Sequence, residues 1–117
     1  MSRVLVVDDS ADMRLSLGHL LRLLGYEVET AADGSQALAA HRARPVAIVI
    51  TDIFMAGKEG LETIAAFKRE WPRLKIIAMS GGGERTKRDY LDDALYIGAD
   101  AALHKPFTLD SLKKALA

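Results

Sequence analysis

The most constraining feature of this 117-residue sequence is an alternation: a short apolar run, then a segment with helical spacing, five times over. The first run, Arg3-Val4-Leu5-Val6-Val7, stops at Asp8-Asp9, and the third, Val46-Ala47-Ile48-Val49-Ile50, ends at Thr51-Asp52. Continuous apolar runs of this length, cut off by carboxylates, predict strands buried on both faces. Tyr26 to Ala31 predicts a second strand, Leu74 to Met79 a fourth ending at Ser80 and three glycines, and Asp100 to Leu103 a short fifth. Between them, Met13, Leu17, Leu20, Leu21 and Leu24 share one helical face, with Gly25 as the C-cap. Asp33 is placed to N-cap a second helix through Ala37 and Leu38 that stops before Pro45. Leu61, Ile64, Ala65 and Trp71 mark a third helix, halted by Pro72. Tyr90, Leu91, Ala94 and Leu95 mark a fourth, and Leu109, Leu112 and Leu116 a last.

A (βα)5 order calls for an α/β fold with a parallel sheet covered by helices on both faces. Right-handed crossovers leave few topologies, and the five-strand order 2-1-3-4-5, flavodoxin-like, is the natural choice. The length suits one domain over residues 1–117. In such sheets function sits at the carboxyl ends of the strands. Composition narrows the partners. Sixteen acids balance sixteen bases, so no overall field draws the chain to nucleic acid or an anionic membrane. The absence of cysteine excludes disulfides and thiolate chemistry. No apolar stretch approaches a membrane span and the N-terminus lacks a signal-peptide layout, so a cytoplasmic protein is expected.

In the expected order, strand ends bring together Asp8 and Asp9, Asp52, Ser80, and Lys105 beside Pro106. Clustered carboxylates repel one another, and a cation holds them ionised. Hard oxygen ligands on a small, open site suit Mg2+. An aspartate can act as nucleophile and form an aspartyl-phosphate. Phosphoryl transfer needs mainly positioning and charge neutralisation, which Mg2+ and Lys105 would supply, with hydrogen bonds from the Ser80 hydroxyl. Each residue alone has a plainer reading. Asp8, Asp9 and Asp52 suit helix caps, Ser80 a turn, Lys105 a solvated surface and Pro106 a rigid turn. Their joint placement on adjacent strand ends is what favours chemistry. His19, His41 and His104 lack metal-ligand spacing and read as ordinary. Gly81-Gly82-Gly83 lacks the Lys-Ser or Lys-Thr of a phosphate loop, and Arg85, Lys87 and Arg88 are balanced by Glu84, Asp89, Asp92 and Asp93.

Five ordered segments carry a family resemblance: Val6-Val7-Asp8-Asp9-Ser10, Thr51-Asp52-Ile53-Phe54-Met55, Gly60-Leu61-Glu62, Ala78-Met79-Ser80-Gly81, and Gly98-Ala99-Asp100 through Lys105-Pro106-Phe107. Together they resemble the receiver domain of bacterial response regulators in two-component signalling, over nearly the whole chain. The resemblance implies Asp52 as phospho-acceptor, served by the phosphohistidine of a sensor histidine kinase or phosphotransfer protein. It implies direct Mg2+ ligation by Asp9, Asp52 and the backbone carbonyl of Phe54, with Asp8 acting mostly through bound water. Ser80 and Lys105 would contact phosphoryl oxygens, and the Lys105-Pro106 bond would be cis. Such a domain is a signalling switch, not an enzyme in the ordinary sense. It acts as a monomer or a phosphorylation-dependent dimer, with movement of the last two helices and last strand changing affinity for an output partner.

Three departures stand out. The family's switch aromatic, three residues before the lysine, is Ala102; Ala56 replaces a common proline after Met55; and the stretch after Ser80 carries three glycines. Ordering of that glycine loop is therefore expected to replace the aromatic as the moving part. Three competing readings are less favoured. An aspartate-nucleophile phosphatase needs a second acid two residues after Asp8, where Ser10 stands. A flavin-binding module needs a hydroxyl-rich loop after the first strand, and this one is acidic. A degenerate receiver would have lost chemical residues that are all present.

Overall fold

The computed structural model describes residues 2–53, 59–80, 94–95 and 97–117. Along the chain run β1 (Arg3–Val7), α1 (Ala11–Leu23), β2 (Glu27–Ala31), α2 (Gly34–Ala43), β3 (Ile48–Asp52), α3 (Glu59–Glu70), β4 (Lys75–Ser80), β5 (Ala101–His104) and the C-terminal helix α4 (Leu109–Leu116). The strands form one parallel sheet in the order β2-β1-β3-β4-β5, as the sequence pattern predicts. The helix expected around Tyr90–Leu95 lies mostly outside the described residues, although Ala94, Leu95 and Ile97 are helical.

Alternation along each strand divides the interior in two. Leu5, Val7, Val49, Ile76 and Ala78 face Ala37 of α2 and Ile64 and Phe67 of α3. Val4, Val6, Ile48, Ile50, Ile77 and Met79 face Leu17 and Leu21 of α1 and Leu112, Ala115 and Leu116 of α4. Each fully buried aliphatic side chain contributes about 1.5–3 kcal/mol relative to exposure. The central strands β1, β3 and β4 are buried almost throughout, which explains their unbroken apolar sequences.

Several local choices differ from the sequence expectation in instructive ways. Neither Asp8 nor Asp9 caps α1. Ser10 does, its hydroxyl accepting the Met13 N–H at 3.2 Å. Asp33 caps α2 as expected, accepting from Gln36 N at 2.8 Å. The C-cap of α1 is Leu24, and Gly25 follows it in the left-handed region at φ 97°. β3 begins at Ile48 because the Val46 N–H goes to His41 Nδ1 at 3.1 Å instead of to the ladder. Leu109 points out at 44 % exposure, so the buried stripe of α4 is Leu112, Ala115 and Leu116.

Candidate functional site

Register decides what the strand ends can share. Val7 of β1 lies opposite Thr51 of β3, Asp52 opposite Met79, and Ser80 of β4 opposite His104 of β5. Asp8, Asp52, Ser80 and Lys105 therefore leave the sheet along one edge. The Asp8 N–H donates to Ala31 O at 3.1 Å, the Ile53 N–H to Met79 O at 3.0 Å and the Lys105 N–H to Ser80 O at 2.8 Å, extending ordered backbone to the site.

The side chains converge. One carboxylate oxygen from each of Asp8, Asp9 and Asp52 lies within 4.8 Å of the others. Asp8 and Asp52 are buried, Asp9 is exposed. Lys105 Nζ stands 3.0 Å from Asp8 Oδ2 and 3.4 Å from Asp52 Oδ2, so one ammonium ties the ends of β1, β3 and β5. It offsets part of the repulsion between two desolvated carboxylates. The other Asp8 oxygen, Oδ1, accepts the Ser10 N–H at 2.9 Å. Ser80 is buried at the end of β4, and Thr51 Oγ1 donates to the Asp52 carbonyl at 3.1 Å. The Lys105-Pro106 bond is cis, as the family resemblance implies. The Phe54 carbonyl, Ala56 and the glycine loop from Gly81 lie outside the described residues.

The donor set fits a small, hard divalent cation: three carboxylates on one open edge, with no soft ligand among them. The arrangement also sets a buried carboxylate beside a cationic group, a pair that phosphoryl chemistry can use. An open groove of about 610 Å3 lies elsewhere, against the outer strand β2. Arg3, Tyr26 and Arg44 line it, and none of the site carboxylates does.

Two residues to which sequence reasoning assigns no role at the site frame it: Arg14, and Gly60, which enters that reasoning only as part of the Gly60-Leu61-Glu62 segment. Arg14 Nη1 donates to the Asp8 carbonyl at 2.7 Å. Its signal was a basic residue in the first turns of a helix, where the macrodipole disfavours positive charge. Gly60 lies in α3 against the end of β3, where an added Cβ would sit 2.5 Å from the Ile53 carbonyl carbon and closer still to Asp52 O. No pattern in the sequence reveals that contact. Ala102, where the family has an aromatic, is half-buried on β5.

Comparison with known proteins agrees with this geometry. The family model described as the response regulator receiver domain matches residues 4–117. The transcriptional regulatory protein PrrA of Mycobacterium tuberculosis is 41 % identical over 114 residues, covering 94 % of this chain and 46 % of that protein. The putative response regulator NtrX-like of Rickettsia bellii is 34 % identical over 111 residues, covering 93 % of this chain and 23 % of that one. This chain thus spans less than half the length of these relatives. Among solved structures, the chemotaxis protein CheY4 of Vibrio cholerae superposes with a TM-score of 0.87 at 34 % identity, covering 99 % of this chain and 96 % of that one. The response regulator TrrA of Thermotoga maritima, in complex with Mg2+–BeF, gives 0.85 at 33 % identity, covering 99 % and 96 %. No described helix is long and apolar enough to cross a membrane. Similarity that begins in β1 and runs past the end of α4 leaves one conclusion: the chain belongs to the response regulator receiver domains, the signalling switches of two-component systems.

Proposed function

We propose that this chain, as one receiver domain over residues 1–117, takes a phosphoryl group onto Asp52 from the phosphohistidine of a sensor histidine kinase or phosphotransfer protein. One observation carries the reading: Lys105 Nζ bridges the buried carboxylates of Asp8 and Asp52, inside a cluster that Asp9 completes. An Asp52 carboxylate oxygen forms the new O–P bond as the P–N bond to the donor imidazole breaks, its electron pair staying on that nitrogen. Lys105 and the Ser80 hydroxyl bind the transferred oxygens. Asp9, Asp52 and the Phe54 backbone carbonyl would hold Mg2+ directly, with Asp8 acting through bound water, as the family resemblance implies. Bound Mg2+ supplies positive charge against the phosphoryl oxygens and lowers the repulsion among the three aspartates. The Mg2+–BeF complex of the Thermotoga relative supports Mg2+ as the cation, without bearing on which residues hold it. The modified domain, cytoplasmic and monomeric or dimerising on phosphorylation, then changes its affinity for an output partner.

The test is a small-molecule phosphodonor with Mg2+, applied to the wild type and to Asp52→Asn, read by intact mass. One phosphoryl group is expected on the wild type and none on the variant. A gain in both, or in neither, overturns the assignment.

A further inference from the structure

The turn that carries two of the three aspartates is held by more than the sheet. The last ladder bond of β1 is Asp8 N–H to Ala31 O. The next peptide unit, joining Asp8 to Asp9, has its carbonyl outside the ladder and bonded to Arg14 Nη1 at 2.7 Å, six residues ahead on α1. A charge-assisted bond of this length is about twice as strong as a neutral one. Because a peptide unit is planar, fixing its carbonyl fixes the backbone angles on either side, and so the direction in which Asp9 leaves the chain. Asp9 is exposed, with no hydrogen bond among the described residues to orient it. The guanidinium, although beside an acidic cluster, makes no ion pair among the described residues. Its donor is committed to main chain, whereas Lys105 neutralises carboxylates directly.

We infer that Arg14 is a positioning residue for the cation-binding turn, acting through the Asp8–Asp9 peptide and not through its charge. The inference rests on the reading of that turn as an Mg2+ site. The two modes of action differ in sign. A guanidinium acting only as a charge repels Mg2+, so its removal would tighten binding. One that orients Asp9 supports binding, so its removal weakens it, and loss of such an outer partner typically costs about tenfold or more in metal affinity.

The experiment compares wild type, Arg14→Ala and Arg14→Lys by calorimetric titration with MgCl2 and by amide hydrogen exchange of the metal-free proteins. Arg14→Ala is expected to bind Mg2+ about tenfold more weakly. Its exchange should quicken at the Asp9 and Ser10 amides, while the α1 amides from Leu17 to Leu21 stay protected. Arg14→Lys, which keeps one donor, should recover part of both. Unchanged or tighter Mg2+ binding in Arg14→Ala overturns the proposal, and so does faster exchange spread evenly through α1. A wild type that binds no Mg2+ would refute the metal reading itself. The exchange comparison would then still decide whether Arg14 holds the turn.

Discussion

The same chemical change, glycine to alanine, is expected to have opposite effects at two helical positions. At Gly60, an added Cβ would meet the Ile53 carbonyl carbon at 2.5 Å, with Ile53 Cα and Asp52 O nearer still. All three are backbone atoms of β3 and the residue after it, so no side chain can swing aside. Overpacking of this kind costs about 3 kcal/mol at the upper end of its usual range. Alanine returns at most about 1 kcal/mol of helix propensity, leaving a net loss of about 2 kcal/mol. At Gly18, inside α1, the nearest atoms are Arg22 Nη1 at 3.4 Å, the tip of a movable chain, and Val28 Cγ1 at 3.6 Å. Here nothing must shift, and the propensity gain of about 0.5–1 kcal/mol stands alone. For 117 residues the unfolding entropy is about 0.25 kcal/mol/K, so each kcal/mol moves Tm by about 4 °C. Gly60→Ala should therefore melt about 8 °C below wild type and Gly18→Ala about 2–4 °C above it, measured by circular dichroism. The atoms displaced by Gly60→Ala belong to Asp52 and Ile53. Its phosphorylation rate should also fall at temperatures where it is fully folded, by up to about a hundredfold for a shift near 1 Å. A Gly60→Ala protein melting at or above wild type, or a Gly18→Ala protein losing as much, would refute the reasoning.

Other perturbations test other parts of the structure. Asp9→Asn removes one of three mutually repelling charges from an exposed position, so it should leave the metal-free Tm equal to or above wild type but shrink the rise on adding MgCl2. For wild type that rise corresponds to about 2.7 kcal/mol at a hundred times Kd, and an equal rise in the variant would remove Asp9 from the ligand set. Burial holds His41 below its ordinary pKa of 6.5, and its Nδ1 accepts the Val46 N–H, so the folded protein favours the neutral ring. Its stabilisation is complete above pH 6.5, is lost as pH falls through the lowered folded value, and levels off beneath it. Asn at this position keeps an acceptor without titrating, so the wild-type and His41→Asn urea-unfolding curves should diverge below pH 6.5; parallel pH dependences would contradict this. Phe67 is fully buried, with its ring tilted edge-on to His41 at 5.8 Å, and Phe67→Ala should cost about 3–5 kcal/mol by urea midpoint. A loss under 1 kcal/mol would show that this core collapses around the gap.

The strands and their order were legible because burial on both faces leaves an unbroken apolar mark on Val4–Val7, Val46–Ile50 and Leu74–Met79. Once the order was set, the convergence of Asp8, Asp52, Ser80 and Lys105 followed from topology alone, and the Lys105 ion pairs agree with it. What escaped is whatever depends on a contact between separate segments. His41 read as an ordinary histidine, yet it is buried between Phe67 and Trp71, with ring centroids 5.8 and 4.4 Å away. It also takes the hydrogen bond that delays β3. Its place depends on α2 lying against α3, and local spacing carries no trace of that. Gly60 stands in the Gly60-Leu61-Glu62 motif, which carries no sign of how closely it packs. It lies within α3, at a point where the helix approaches β3 too closely for any side chain. Arg14 escaped because its acceptor is a carbonyl, and every residue has one.

The two apolar clusters share no residue, and the sheet stands between them like a wall between two rooms. Substitutions of Leu17 and Phe67, on helices on opposite sides of the sheet and in separate clusters, would act almost independently, whereas those of Val6 and Leu17 would not. Either room can be refurnished without disturbing the other, provided the wall stays straight. The acidic edge is where that wall ends, so substitutions deep in either room leave the carboxylate spacing alone, whereas those at Arg14 of α1 and Gly60 of α3, which touch the edge itself, do not.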